Sequence, residues 1–298
     1  ANEFGPLYRD AYLGFRDTPI LNTVIFGFHK RPYSLDQLNS SNHTVFMERS
    51  LSSQAFNRDN RRLGISSNGV SEDLRFNWRY GVWAQQLTSG ASGYVGDHYQ
   101  GEIAGRLAST VWYDDSSGGR GYFHFGVSGS LGVPDGRLGN YFGRSAYYGR
   151  SVYATRPESQ TSRPWYDTGP IPGAHSNGLI GFESVLNIGA LQLVGEYMTA
   201  WVDRNENPFG PDVNFYGGYL QASYFLTGEH IPWNRRTGCL GRVKPFENFF
   251  CVCDCEGFVQ RGLGAWQIAA RYSYADFSSL DIDGGLGSAL TLGLNWHW

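Results

Sequence analysis

Hydrophobic and polar positions alternate with a period of two over most of this chain. In Asp73–Trp83, Leu74, Phe76, Trp78, Tyr80 and Val82 share one phase, and Arg75, Asn77, Arg79 and Gly81 share the other. Successive side chains of a strand leave opposite faces of a sheet, so one face here suits hydrocarbon and the other water or counter-charge. The design recurs. Ile103, Leu107 and Val111 oppose Glu102, Arg106 and Thr110; Phe123, Phe125, Val127 and Leu131 oppose His124, Gly126, Ser128 and Ser130. Phe182, Leu186 and Ile188 oppose Glu183 and Asn187, and Leu191, Leu193, Tyr197 and Trp201 oppose Gln192 and Glu196. Tyr216, Leu220 and Tyr224 oppose Gln221 and Ser223, Trp266, Ile268 and Tyr272 oppose Gln267, Arg271 and Ser273, and the chain ends on Leu290, Leu292, Leu294 and Trp296 against Thr291, Gly293, Asn295 and His297.

Alternation also predicts strands over 7–15 and 22–30, with the chain reversing at Arg16-Asp17-Thr18-Pro19, and another over 62–68. Gly189-Ala190 predicts a tight hairpin. With a short strand around Ser151–Arg156, about twelve strands are visible. Several reach ten residues, longer than the usual five or six and suited to a tilted bilayer crossing. Long irregular stretches interrupt them at 31–60, 134–178 and 228–262, and a Gly/Ser-rich turn region at 86–99. The first contains Phe46, Met47, Leu51 and Phe56, too apolar for a simply solvated loop.

Composition agrees with strands and turns: 40 Gly, 19 Tyr, 19 Phe and 9 Trp stand against 2 Met and 17% charged residues. No run of eighteen apolar residues exists for a membrane helix, but a barrel dilutes its hydropathy by alternation and escapes that test. The polar faces are small, glycine-containing and charged, so a second sheet cannot pack on them to a dry core. An all-β fold, a transmembrane antiparallel barrel around water, satisfies both faces. Trp112, Tyr113, Trp201 and Trp296 lie near strand ends, where interfacial girdles belong.

The net charge of −3 gives no basis for nucleic-acid binding. No nucleophile elbow, His-Glu-x-x-His, P-loop or dinucleotide fingerprint occurs, so the chain does not read as an enzyme and implies no cofactor. Cys239, Cys251, Cys253 and Cys255 lack the spacing of a structural zinc site; Cys239 paired with one of the trio, or free thiols, is the better reading, and no metal site is assigned.

Phase places Arg75, Arg79, Arg106 and Arg271 on the lumen wall, where guanidinium groups attract anions unless Glu102, Glu183 and Glu196 neutralise them. Lys30, Arg31, Arg49, Arg58, Arg61 and Arg62 flank or belong to the 31–60 stretch, which reads as a lumen-inserted loop forming a cationic constriction.

Several strings resemble the phosphate-selective porin O/P family, with wording closest to a planctomycete-like branch. They are Arg9-Asp10-Ala11-Tyr12-Leu13-Gly14-Phe15, Phe46-Met47-Glu48-Arg49, Tyr224-Phe225-Leu226-Thr227-Gly228-Glu229, Gly241-Arg242-Val243-Lys244-Pro245, Gly264-Ala265-Trp266, Ala269-Ala270-Arg271-Tyr272-Ser273 and Leu292-Gly293-Leu294-Asn295-Trp296. The resemblance implies a sixteen-stranded barrel in the bacterial outer membrane, commonly a homotrimer, with an arginine-lined lumen narrowed by an inserted loop. On that expectation the chain is a single barrel domain over 1–298 lacking about four strands, with 31–60 as the lumen loop and 228–262 as a long Cys-containing loop. The expected function is passive diffusion of small solutes, preferring anions such as phosphate. The alternative is a structural or adhesive envelope barrel whose long loops bind a partner protein and plug the lumen.

Overall fold

The computed structural model describes residues 10–57, 60–84, 101–134, 140–141, 144–145, 153–158, 164–204, 210–250, 252–253 and 259–298. One antiparallel sheet contains eleven strands: β1 (Ala11–Thr18), β2 (Asn22–Lys30), β3 (Arg61–Val70), β4 (Phe76–Ala84), β5 (Gly101–Tyr113), β6 (Gly121–Gly132), β7 (Ala174–Ile188), β8 (Leu191–Arg204), β9 (Val213–Phe225), β10 (Ala265–Ser279) and β11 (Ile282–His297). Spatial order follows chain order throughout, and β1 and β11 are its two edges. Strands β5 to β11 run 12 to 16 residues, more than a tilted crossing of a bilayer core needs.

The alternation holds in three dimensions. On β11 the outward Leu290, Leu292 and Leu294 are 70, 73 and 64% exposed, and on β5 the outward Ile103 and Leu107 are exposed while Glu102 and Arg106 between and beside them are buried. This inverts a water-soluble sheet. Burying a leucine is worth roughly 1.5–3 kcal/mol, which a hydrocarbon surround supplies for this outer face. No helix among the described residues is long and apolar enough to cross a membrane.

Several boundaries move from the sequence expectation. Strand β4 begins at Phe76, because the Asp73 carboxylate accepts the Ser71 hydroxyl (2.5 Å) and the Arg75 N–H (3.1 Å), closing a turn in which Leu74 takes φ 59°. Strand β1 runs on through Thr18, and the chain reverses at 19–21 with Ile20 at φ 71°. The expected strand near Ser151–Arg156 is only Ala154–Thr155, paired with Tyr166–Asp167 in a small separate ribbon. The turn region 86–99 lies outside the described residues.

Turns 19–21, 71–75, 114–120 and 189–190 all fall at one end of the sheet, together with the long 226–264 connection; 31–60 leaves from the opposite end. Within 31–60 two short helices form, α1 (Leu35–Leu38) and α2 (Leu51–Phe56), capped by the Ser34 and Ser50 hydroxyls. Lys30 Nζ donates to the carbonyls of Gln37, Leu38 and Asn39 at 2.8, 3.1 and 3.1 Å, satisfying groups that a helix end leaves without partners.

Helix α2 lies against the inward faces of β8, β9 and β10. Leu51, Ala55 and Phe56 join Met198, Ala200, Val202, Val213, Phe215 and Phe277 in one buried cluster, with the Phe56 and Phe277 rings 5.7 Å apart. The expectation that the inward faces are too polar to pack dry therefore fails at this end. Here the wall's inward positions are apolar, and the chain covers them with its own inserted segment rather than a second sheet.

A second segment enters from the turn end. Ile231, Trp233 and Leu240 pack with Tyr122, Val185, Val194, Tyr219 and Phe225, the Tyr122 hydroxyl donates to Ile231 O (2.8 Å), and Trp233 Nε1 donates to Thr110 Oγ1 (3.0 Å). The two segments meet: Leu240 N–H donates to Asn39 Oδ1 at 2.9 Å, and His43 Nδ1 lies 3.2 Å from Leu240 O.

Candidate functional site

The inward charges are the chemically distinctive feature of the molecule. Register pairs Arg79 of β4 with Arg106 of β5, two like charges side by side, which demands acceptors close by. Glu183 of β7 answers Arg106. Arg106 Nε donates to both Glu183 oxygens at 3.1 Å, Nη2 also donates to Glu183 Oε1, and the remaining donors go to Asn77 Oδ1 (3.1 Å) and Gly238 O (3.0 Å). His124 Nε2 lies 2.7 Å from the same carboxylate, under the Trp233 ring at 4.4 Å between centroids. Arg79 Nη2 donates to Thr237 O at 2.9 Å. Two wall arginines are thus engaged by the second inserted segment.

Arg271 of β10 repeats the motif with another carboxylate. Its Nε and Nη2 reach Glu158 Oε2 at 3.1 and 2.7 Å, Nη2 also donates to Glu48 O at 2.8 Å, and the guanidinium lies 4.6 Å over the Phe46 ring. The Ser273 and Thr291 hydroxyls donate to the same Glu158 carboxylate. Arg75, expected on the lumen wall, is exposed at the end of the β3–β4 turn.

Around the inserted loop, Arg31 Nη1 donates to Glu102 Oε2 at 2.7 Å and Nη2 to Asn57 Oδ1 at 3.0 Å. The Tyr33 hydroxyl donates to Glu102 Oε1 (2.8 Å); burial pushes its pKa well up, which keeps that proton in place. Arg49 approaches Asp36 Oδ1 at 3.5 Å, and Arg61 makes a bidentate 2.8 Å pair with Asp10. Arg62 is buried on β3 opposite His29, Lys30 caps α1, and Arg58 lies outside the described residues. Cys239 is half-buried; Cys251 and Cys255 lie outside the described residues.

The structure thus gathers Arg31, Arg49, Arg62, Arg79, Arg106 and Arg271 in the interior, with Arg31, Arg106 and Arg271 each held by a buried carboxylate. Arg61 does not join them: it shares the outward phase of Leu63 and Ile65 and pairs with the exposed Asp10. A guanidinium bound bidentately to a buried carboxylate has its charge balanced locally and two of its five N–H donors committed. Alternation already put Glu102, Glu183, Glu196 and His124 on the same faces. The arrangement around Glu196 is an addition: it accepts the Leu35 and Asp36 N–H groups at 2.9 and 2.7 Å and the Tyr219 hydroxyl at 2.7 Å, fixing α1 to the wall. Glu158 came from an irregular stretch with no periodic signal.

Two comparisons bear on identity. A protein of Caulobacter vibrioides described as uncharacterised is 26% identical over 299 residues, covering 97% of this chain and 53% of that protein, so the chain spans about half the length of the curated relative it matches. The family model for phosphate-selective porin O and P matches residues 1–298. With its lipid-suited outer face, charged inner face and sheet in unbroken hairpin order, the chain belongs to the phosphate-selective porin O and P family of outer-membrane β-barrel porins.

Proposed function

We propose that this chain contributes wall and constriction to an outer-membrane pore through which small solutes diffuse passively, with a weak preference for anions. The observation that carries the reading is the division of the strands into an apolar outer face and an inner face of buried, hydrogen-bonded charges. A weak preference is expected because Arg31, Arg106 and Arg271 each face a carboxylate, leaving little net positive field from the wall. Phosphate selectivity of the kind in the family's name needs unneutralised donors, so chloride, phosphate and small carboxylates are all proposed solutes. Assembly as a homotrimer accompanies this proposal. Reversal potentials across a planar bilayer under a KCl gradient test it: ion steps with modest chloride preference are expected, and a bilayer that stays silent refutes it.

One observation favours a second reading. Segments from both ends meet inside at Asn39 and Leu240, as a plugged barrel requires. In that case wild-type conductance is small and rises when the junction is cut.

A further inference from the structure

At the turn end of the edge strand β11, where the second inserted segment passes the ends of β10 and β11, lies a pocket of about 560 Å³ that takes lining from both phases of the strand. Its lining comes from three parts of the chain: Asn42–Val45 of the first inserted segment, Arg242–Pro245 of the second, and Gln267, Trp296, His297 and Trp298 of the two strands. That volume falls within the range of about 300–1,000 Å³ typical of small-molecule sites. A lone inorganic anion leaves most of it empty.

Three observations define what it accepts. First, its charged lining side chains are Arg242 and Lys244, both exposed, with no Asp or Glu side chain among the lining. Among the described residues neither cation forms an ion pair, in contrast to Arg31, Arg106 and Arg271. Second, Gln267 is only 1% exposed; its Oε1 accepts from the Asn295 amide at 3.0 Å, and its Nε2 has no hydrogen-bond partner among the described residues. His297 Nε2, a donor or an acceptor according to tautomer, is likewise buried and without a partner among the described residues. A buried orphan donor costs roughly 1–3 kcal/mol, so acceptor atoms brought by a ligand are favoured here. Third, Val45, Ile231, Val243, Pro245, Trp296 and Trp298 give the lining an apolar and aromatic side, beside the polar Asn42, His43, Thr44 and Asn248.

We propose that this pocket binds a small aromatic carboxylate, its oxygens held by Gln267 Nε2 and the field of Arg242 and Lys244, its ring against the indoles and aliphatic lining. The two cations and the unpartnered Gln267 Nε2 donor select the anion, while size and lining select the ring. The pore reading is needed only for how such a solute reaches the pocket. Binding is a separate equilibrium, measurable without conduction.

The two tryptophans supply the assay. Sodium benzoate is titrated into the detergent-solubilised full chain while tryptophan emission is followed, beside benzamide as the neutral isostere and inorganic phosphate as the ringless anion. Expected is a saturable change with benzoate, at least tenfold weaker binding in Arg242→Gln/Lys244→Gln, and unchanged binding in Arg236→Gln, an exposed cation outside the pocket. The substituted residues are exposed, so far-ultraviolet circular dichroism should match the wild type. Absence of saturation, equal affinity in the double variant, or equal affinity for benzamide overturns the proposal. Phosphate competing as well as benzoate overturns the role of the ring. Silent bilayers with intact benzoate binding remove the pore reading and leave the pocket standing.

Discussion

Replacing Glu183 by leucine strips the Arg106 guanidinium of its only carboxylate partner among the described residues while roughly keeping side-chain volume. Both groups are almost inaccessible, the Arg106 side chain at 0% and Glu183 at 3%. What remains for the cation is Asn77 Oδ1 at 3.1 Å and Gly238 O at 3.0 Å, neutral acceptors that do not balance its charge. Breaking a buried pair in this way costs about 3–5 kcal/mol, and Arg106→Met, which strands the carboxylate, costs a similar amount. If the sites were independent the double variant would lose the sum, roughly 6–10 kcal/mol. Removing both charges instead leaves orphaned polar groups, chiefly Asn77 and His124, at about 1–3 kcal/mol each. The double variant should therefore lose roughly 2–6 kcal/mol, about as much as one single variant and less than the sum of the two. Urea unfolding of protein refolded into lipid vesicles, followed by tryptophan emission, measures all four corners of the cycle. Additivity within about 0.5 kcal/mol, or a single-variant cost below about 1 kcal/mol, would refute the claim that this pair is a mutually dependent buried unit.

Further outcomes follow from other contacts. Gly64→Ala should destabilise by about 1–3 kcal/mol, because an added Cβ meets Trp83 Cδ1 at 2.4 Å and the Val82 carbonyl at 2.6 Å; the vesicle unfolding midpoint reports it. Asn39→Ala should raise single-channel conductance if the two inserted segments restrict the lumen, and unchanged conductance argues against restriction at that junction. Hydrogen bonding to Arg204 holds the Asp281 carboxyl below its ordinary pKa, so its stabilising effect is present above the unfolded value of about 3.9 and fades as pH falls through the folded value. Asp281→Asn should consequently flatten the acid limb of the stability profile below about pH 4, by no more than about 1 kcal/mol for so exposed a carboxylate. A variant that keeps the full wild-type acid slope contradicts this.

How much was legible in advance depended on periodicity. Every one of the eleven sheet strands carries the period-two pattern that predicted it, and the inward phase of Glu102, Arg106, Glu183, Glu196 and Arg271 follows from counting by twos. Partner choice does not. Arg106 reaches across strands to a glutamate 77 residues away, and Arg271 to a glutamate 113 residues away in a segment without alternation, distances at which composition carries no register information. The inserted 31–60 segment was visible from its apolar residues, yet α1 and α2 are too short to leave a helical period and depend on serine caps and on Lys30 and Glu196 for anchorage. Arg75 shifted because a local competition, the Asp73 side chain against the β ladder, delays the start of β4 to Phe76, three residues after the Asp73 start that alternation implied. The inward apolar cluster around Phe215 was misjudged for a similar reason: alternation assigns a face, and only tertiary structure says what covers it.

The contact between Leu240 and Asn39 spans 201 residues of sequence. Hairpins of the sheet close over loops of a few residues, but this bond brings together two excursions that start from opposite rims and are separated by seven strands of wall, β3 to β9. Because loop-closure entropy must be met before so remote a contact repays it, the wall should assemble first and the interior consolidate afterwards. During membrane insertion there is then an interval in which the strands are paired and the lumen is still open. Hydrogen-exchange labelling during refolding should catch it, with the ladder amides of β5 to β8 protected early and the Leu240 amide protected last.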